Sequence, residues 1–503
     1  MDPVVGVAPA MVPDPREGVA TRGDSGDAAH PGDPASTADT IAAIATAVAP
    51  GQGSVAIVRL SGPAAEPIGR RLFRAPGGQA WESHRVLYGH VLDPASGERV
   101  DEALLLLMRA PRSFTREDVV EFHCHGGLVA VGRVLELVLA AGARLAGPGE
   151  FSQRAFLNGR LDLTRAEALM ELVAARSRRA AQLAMAGLDG GLQRRIGALR
   201  ERLLDQLAEL EARVDFEEDL PPLDGAAVRR ELAAVQGELE QLVAEGEQGE
   251  RLRQGLRLAI IGRPNVGKSS LLNLLSRRDR AIVTDLPGTT RDLLESELVL
   301  NGVPLTLIDT AGIRPTNDPV ERLGIERSYQ ALASADGVLL LYDLASGWCP
   351  EDGQLRSMVP EGVPLLLVGN KADLLAEAAG PGSPADPGSG PSPALPGDAA
   401  PASLPISALH GEGRERLTAA LLQLCGAAPL EGLQVALNAR QRELAAAAAT
   451  ALVACQAAAS EGLPWDFWTI DLREAVRRLG EITGEEVSEA VLDRVFSRFC
   501  IGK

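Results

Sequence analysis

Lysine is almost missing from this chain. Lys and Arg total 50 among 503 residues, and only Lys268, Lys371 and Lys503 are lysines. A coding bias towards arginine and alanine replaces lysine wherever either cation serves. The three survivors therefore mark places that call for a compact ammonium on a flexible stem. Cysteine is scarce as well: Cys124, Cys349, Cys425, Cys455 and Cys500, with no CxxC pair. This excludes a disulfide framework and reads as a reduced, cytoplasmic chain. No run of about 18 apolar residues is present, which argues against a membrane span. Basic excess is lacking too. The net charge is −18, so any nucleic-acid contact must be local or shared with a partner.

What is present is ample apolar material, 46% of residues, in a length that suggests about three domains. Residues 1–38 are rich in Gly, Pro, Asp and Ala and have no apolar signal core. They read as a disordered extension, or as the product of a start codon placed too early. Residues 39–157 read as a mixed α/β domain, with strands in "SVAIVRLSG" and "DVVEFHCHGG" and an amphipathic helix in "GLVAVGRVLELVLAAG". Residues 158–255 carry apolar positions at i, i+3, i+4 and i+7 and read as long bundle helices, broken at "PPLDG". Residues 256–427 alternate strands and helices, the pattern of a doubly wound sheet. A Gly/Pro/Ser-rich insertion near 376–403 interrupts it and is expected to be disordered. Residues 428–503 are helical again. The two helical stretches form either separate bundles or one bundle with the doubly wound domain inserted between its halves.

"GRPNVGKS", Gly262 to Ser269, follows an apolar strand and opens a helix. Its spacing is that of a phosphate-binding loop, in which backbone N–H groups of Asn265, Val266, Gly267 and the helix start cradle phosphates. Lys268 reaches the β and γ oxygens, Ser269 ligates Mg²⁺, and Ser270 follows in the same turn. "DTAG", Asp309, Thr310, Ala311 and Gly312, closes the next core strand, where Asp309 faces Mg²⁺ through water and Gly312 faces the γ-phosphate. "NKAD", Asn370, Lys371, Ala372 and Asp373, closes another. A carboxylate at Asp373 accepts from N1–H and N2–H₂ of guanine, a donor pair that adenine does not offer, so it selects GTP. Lys371 lays its stem along the base, and "SAL", Ser407, Ala408 and Leu409, backs it. Four motifs in order at strand ends point to a GTPase. Ile313 stands where many small GTPases orient water with glutamine, so another group must do that work. Asn265, with carbonyls from "TDLPGTTRD", suits a monovalent cation that neutralises developing phosphate charge. Thr290 completes the Mg²⁺ shell, and Glu321 is a candidate to orient water, or else a solvated helix glutamate.

The terminal "CIGK" does not suit prenylation, because its last residue is Lys and no polybasic run precedes it. It reads as a frayed helix end or as a thiol and ammonium delivered by a tail. "HCHGG" places His123 and His125 on one face of a strand and Cys124 on the other, which disfavours shared metal ligation. It reads as a strand end and glycine turn. "WDFW", Trp465 to Trp468, reads as packing, with RNA or partner contact as the alternative.

Taken together, "PGEFSQRAFLNGRLDLTRAEAL", "GRPNVGKSSLLN", "IVTDLPGTTRD", "DTAGIR", "VERLGIERS", "NKAD" and the terminal "FCIGK" resemble the tRNA modification GTPases of the MnmE (TrmE) type, over about residues 39–503. The resemblance implies an N-terminal domain that binds a reduced folate and dimerises, and a Ras-like GTPase domain inserted in a helical bundle. It implies an FAD-dependent partner of the MnmG (GidA) type in a heterotetramer. The pair would add an aminomethyl or carboxymethylaminomethyl group to C5 of the wobble uridine, position 34 of certain tRNAs. It further implies K⁺ ligands at Asn265, Thr284, Leu286 and Thr289, within a nucleotide-binding stretch that includes Asp285, Pro287 and Gly288. Mg²⁺ ligands fall at Ser269 and Thr290, and a catalytic glutamate at Glu321. The folate site falls on Arg59, Glu121, Arg160 and Lys503, and Cys500 serves in the modification. Three departures stand out: Arg160 where the family often has lysine, "SAL" where a basic third residue is common, and the 376–403 insertion. The rivals are a ribosome-assembly or translation-type GTPase, which needs neither a folate-type domain nor a terminal Cys and Lys, and a membrane-anchored regulatory switch, against which the acidic charge and the unsuitable tail count.

Overall fold

The computed structural model describes residues 39–49, 51, 53–216, 221–276, 294–309, 330, 332–378, 402–424 and 436–502. The expected N-terminal extension and most of the 376–403 insertion lie outside the described residues.

Short strands build the first sheet: β1 (Ile41–Ile44), β2 (Val55–Ser61), β3 (Phe73–Arg74), β4 (Arg85–Leu92), β5 (Arg99–Met108), β6 (Val119–His125) and β7 (Arg144–Leu145). Their order is β3-β4-β5-β6-β2-β1-β7. The pairs are antiparallel except β1 with β7. Helices α1 (Ala65–Leu72) and α2 (Leu128–Ala140) cover one face, where Ile68, Leu72, Val131 and Val134 meet Val58, Leu60, Leu105 and Phe122. The expected α/β unit is therefore an antiparallel sheet with its helices gathered on one side. Strand alternation turns Arg59, Glu121, His123, Tyr88 and Leu104 to the opposite face. On that face Val86, Tyr88 and Leu104 are exposed apolar side chains.

A run of helices follows: α3 (Glu150–Leu157), α4 (Leu163–Ala174), α5 (Arg178–Leu188), α6 (Gly191–Phe216) and α7 (Gly225–Gln254). Asp162, Ser177 and Asp224 start α4, α5 and α7 by accepting backbone N–H groups of the first turn. The chain then enters a second sheet, with β8 (Leu256–Ile261), α8 (Lys268–Ser276), β9 (Leu294–Leu300), β10 (Val303–Asp309), β11 (Gly337–Asp343), α9 (Pro350–Ser357), β12 (Leu365–Asn370), α10 (Ala372–Ala378), β13 (Leu404–Pro405) and α11 (Arg414–Leu424). The order is β13-β12-β11-β8-β10-β9, parallel except for β9 against β10. Apolar clusters lie on both faces, one with Leu271 and Leu417, the other with Leu332 and Leu340, as a doubly wound sheet requires. Helix α10 carries its last three residues into the stretch expected to be irregular.

At Asn438 a capping box with Gln441 opens α12 (Ala439–Ser460), followed by α13 (Trp465–Thr483) and α14 (Glu489–Phe496). Leu199 and Leu203 of α6, Leu232 and Leu239 of α7, Leu452 of α12 and Leu472 and Leu479 of α13 share one core. One bundle is thus built from chain on both sides of the second sheet. The expectation of no span-like segment needs a correction: among the described residues α12 is long and apolar enough to cross a membrane, by length and composition. Its alanine-rich surface instead packs on α7 and α13, burying Ala445, Ala448, Leu452 and Cys455. Trp468 of "WDFW" is buried in that core and donates its ring N–H to the Leu463 carbonyl, whereas Phe467 is exposed.

Candidate functional site

The phosphate-binding loop spans the end of β8 and the start of α8. Asn265 holds a left-handed backbone at φ +62, and Gly267 stands at φ +100. A Cβ on Gly267 would fall 2.2 Å from Asn370 Nδ2, so only glycine fits there. Asn370 explains the closeness. Its amide donates to the Val266 carbonyl (2.8 Å) and accepts from the Ala408 N–H (2.9 Å), tying the phosphate loop to the "SAL" loop. Lys268 Nζ donates to the carbonyls of Gly262 (2.7 Å) and Arg263 (3.1 Å). Asn265, Ser269 and Ser270 are exposed.

Lys371, at φ +63, donates to Asp343 Oδ2 at 2.7 Å. Burial works against the Asp343 charge, but the Lys371 bond and the Ala345 N–H hold its carboxyl below the ordinary range. Asp373 Oδ1 is buried and has no hydrogen-bond partner within the protein. A buried carboxylate oxygen without a partner is costly, and a guanine N–H fits that vacancy of bonding. Ser407 is fully buried and Leu409 is exposed. Asp309 ends β10.

A second constellation lies on the helix-free face of the first sheet. Arg59 and Glu121 stand directly across the β2–β6 pair, and Arg59 Nε donates to Glu121 Oε1 at 2.7 Å. His123 Nε2 is 3.2 Å from Glu121 Oε2. Burial pushes the Glu121 carboxyl up, yet the His123 hydrogen bond and the Arg59 charge overcome it and hold the group below the ordinary range. Arg59 also lies over the Phe151 ring (5.7 Å), and Arg160 over Phe114 (6.0 Å). Both rings belong to one small cluster with Ile41, Ala43 and Ala146.

The C-terminal tail arrives at this place. Phe496 and Phe499 are buried against α4. Ile501 then forms an antiparallel bridge with Pro148, and Gly149 N–H donates to the Cys500 carbonyl at 3.4 Å. Arg59 Nη1 donates to the Gly502 carbonyl at 3.2 Å. Cys500 is exposed. The frayed-end reading is thereby replaced: residues 499–502 are docked.

A family model described as the MnmE helical domain matches residues 163–500, and one described as the GTP-binding protein TrmE N-terminus matches residues 40–160. The tRNA modification GTPase MnmE of Synechococcus sp. (strain RCC307) is 70% identical over 466 residues, covering 92% of this chain and 98% of its own. The protein of that name from Prochlorococcus marinus (strain MIT 9313) is 66% identical over 468 residues, with 92% and 98% covered. The chain belongs to the MnmE family of tRNA modification GTPases. Among solved structures, Aquifex aeolicus Era bound to GDP and aluminium fluoride is 25% identical, with 39% of this chain and 66% of its own covered, at a TM-score of 0.25.

Several positions that the MnmE resemblance singles out lie outside the described residues: Thr284, Asp285, Leu286, Pro287, Gly288, Thr289, Thr290, Thr310, Ala311, Gly312, Glu321 and Lys503. Sequence reasoning missed three groups. Asp343 anchors Lys371, and its place at the end of an apolar strand was the available signal. Asp352 holds Arg263 of the phosphate loop at 2.8 Å, across 89 residues and with no local signal. His123 was read only as a strand end or metal ligand. Among the described residues no group of three potential ligands gathers for a metal. His125 pairs instead with Asp101 at 2.7 Å, and Cys124 is buried in the helix-side core.

Proposed function

We propose that this chain hydrolyses GTP in the course of modifying C5 of the tRNA wobble uridine, with a reduced folate as one-carbon donor. The observation that carries the reading is the docking of the Cys500–Gly502 tail on Arg59, beside Glu121. A GTPase that only timed an RNA-binding event would have no use for a terminal thiol held at a second constellation. The Glu121 carboxylate has two of about four lone-pair positions engaged, by Arg59 and His123, which leaves acceptors for a pterin's N–H pair. Arg160 and Lys503 would add cations for the acidic tail of a folate. Cys500 is the candidate catalytic thiol.

At the GTP site, Asp373 would read guanine, with Asn370, Lys371 and Ala408 forming its surroundings. Ser269 and Thr290 would hold Mg²⁺, and Asn265, Thr284, Leu286 and Thr289 would hold K⁺. The hydroxyl, amide and carbonyl oxygens of this set are hard donors, and the exposure of Asn265 and Ser269 leaves them open to such ions. Both ions supply charge neutralisation at the phosphates. Glu321 would orient the attacking water. The exposed strip Val86, Tyr88 and Leu104 supports a homodimer through the first sheet. The net charge of −18 supports an FAD-dependent partner of the MnmG type that supplies much of the tRNA-binding surface. The scarcity of cysteine supports a cytoplasmic location.

Nucleoside mass spectrometry of bulk tRNA from cells lacking the chain tests the reading. Loss of C5-aminomethyl-type uridines, restored by the intact gene but not by Cys500→Ser, is expected. An unchanged nucleoside profile would sink the reading.

A further inference from the structure

We propose that His123 is a positioning residue of the folate-type site, acting through Glu121. This rests on the folate reading above and adds a residue to it. Glu121 is buried to 8% exposure on the open sheet face. Its two oxygens are held by different strands' side chains: Arg59 Nε from β2 at 2.7 Å on Oε1, and His123 Nε2 from β6 itself at 3.2 Å on Oε2. Arg59 alone would fix one oxygen and leave the carboxylate free to turn about its last torsion, which is soft. The second oxygen would then be buried without a partner. With both oxygens held, the plane of the carboxylate is set, and its remaining lone pairs point in fixed directions. A fixed carboxylate edge suits a ligand with two adjacent N–H donors across an N–C–N fork, the edge of a 2-aminopyrimidinone such as a pterin.

The chain of contacts continues outward. Arg59, oriented by Glu121 and by the Phe151 ring, donates from Nη1 to the Gly502 carbonyl. His123 therefore steadies both the ligand's acceptor and the arginine that holds the tail. The role asks of His123 a single N–H donor, at Nε2, facing Glu121 Oε2. A residue that keeps one N–H donor at similar reach should substitute for it, whereas a methyl group should not.

The experiment measures binding of 5-formyltetrahydrofolate to the full chain by titration calorimetry, for the wild type and for His123→Ala, His123→Gln, Glu121→Gln and Arg59→Ala. Thermal melting and folate-free GTP turnover serve as controls for folding. The expected result is a Kd raised about tenfold in His123→Ala, the order of one lost hydrogen bond. His123→Gln should fall within about twofold of the wild type, with melting and turnover unchanged in both. If Glu121→Gln abolishes binding while His123→Ala leaves it unchanged, the inference about His123 is overturned and the folate site stands. If His123→Gln binds as weakly as His123→Ala, the hydrogen-bond role is overturned. If Glu121→Gln and Arg59→Ala both bind like the wild type, the folate reading falls, and the His123 role with it.

Discussion

Gly502→Ala should release the C-terminal tail from the first sheet. Gly502 stands at φ +96, a backbone that L side chains rarely adopt. A Cβ there would lie 2.7 Å from the Ile44 carbonyl oxygen and 2.9 Å from Ala45 Cα. Both obstacles are backbone, so neither swings away as a side-chain end would. The left-handed backbone alone costs an alanine roughly 1–2 kcal/mol. The overlap must then be relieved by moving residue 502, which breaks the Arg59 bond to its carbonyl. A hydrogen bond from a charged donor contributes about 1.5–3 kcal/mol, so the docked population should fall by about a hundredfold in its equilibrium constant. Hydrogen exchange read by mass spectrometry reports this directly, because the Gly149 N–H donates to Cys500. Peptides covering Gly149 and residues 499–503 should exchange faster, while bundle peptides and GTP turnover stay at wild-type values. Wild-type protection of the tail in Gly502→Ala would refute the claim that close packing of residue 502 holds it.

Asp373→Asn should weaken GTP binding by about a thousandfold, because two charge-assisted bonds are lost and an amide donor faces the base's donors. Xanthosine triphosphate, which offers an acceptor there, should bind the variant better than GTP does; an unchanged preference for GTP would remove Asp373 from base recognition. GTP turnover should be faster in K⁺ than in Na⁺ at equal ionic strength, and equal rates would remove the monovalent cation from the mechanism. The Arg109 hydrogen bond holds the Glu66 carboxyl down at about 2, below its ordinary 4.5. Its stabilisation is therefore present above about 4.5 and is lost as the pH falls towards 2. Solvent screening reduces this to about 1 kcal/mol, so Glu66→Gln should be less stable by that amount at pH 7, with the gap narrowing below about pH 4.5 and closing towards pH 2. A gap that stays constant in denaturant melts across that range would refute the linkage. Burial pushes the Cys124 and Cys455 thiols up to about 12, whereas Cys500 is exposed. Iodoacetamide at pH 8 should therefore label Cys500 and spare the other two, as peptide mapping would show; equal labelling of Cys124 would contradict its place in the core.

The two constellations differ in how far the sequence reveals them, and the reason is physical. A phosphate is cradled by consecutive backbone N–H groups, so the loop that binds it is contiguous, and its glycine and lysine spacing is visible in eight letters. Base recognition is similar, because Asp373 lies within four residues at one strand end. Even there the long-range supports were hidden. Nothing local ties Asn370 to Val266 across 104 residues, and nothing local pairs Arg263 with Asp352. The second constellation has no local logic at all. Arg59 reaches Glu121 across 62 residues and Gly502 across 443, so periodicity along either strand shows only that both side chains turn to the face without helices. Resemblance to a family was what marked Arg59 and Glu121, and a resemblance names only positions that its motifs cover. His123 sits two residues from Glu121 on the same face of the same strand, so alternation alone would have found it once Glu121 was taken as a site residue. The same test applied to β2 gives Ile57 and Ser61 beside Arg59. Ser61 is fully buried and bonded to Thr115 and Glu117 at 2.6 Å, which makes it part of the floor, whereas Arg59, Glu121 and His123 share the open face with the half-buried Ile57 and the exposed Val86, Tyr88 and Leu104.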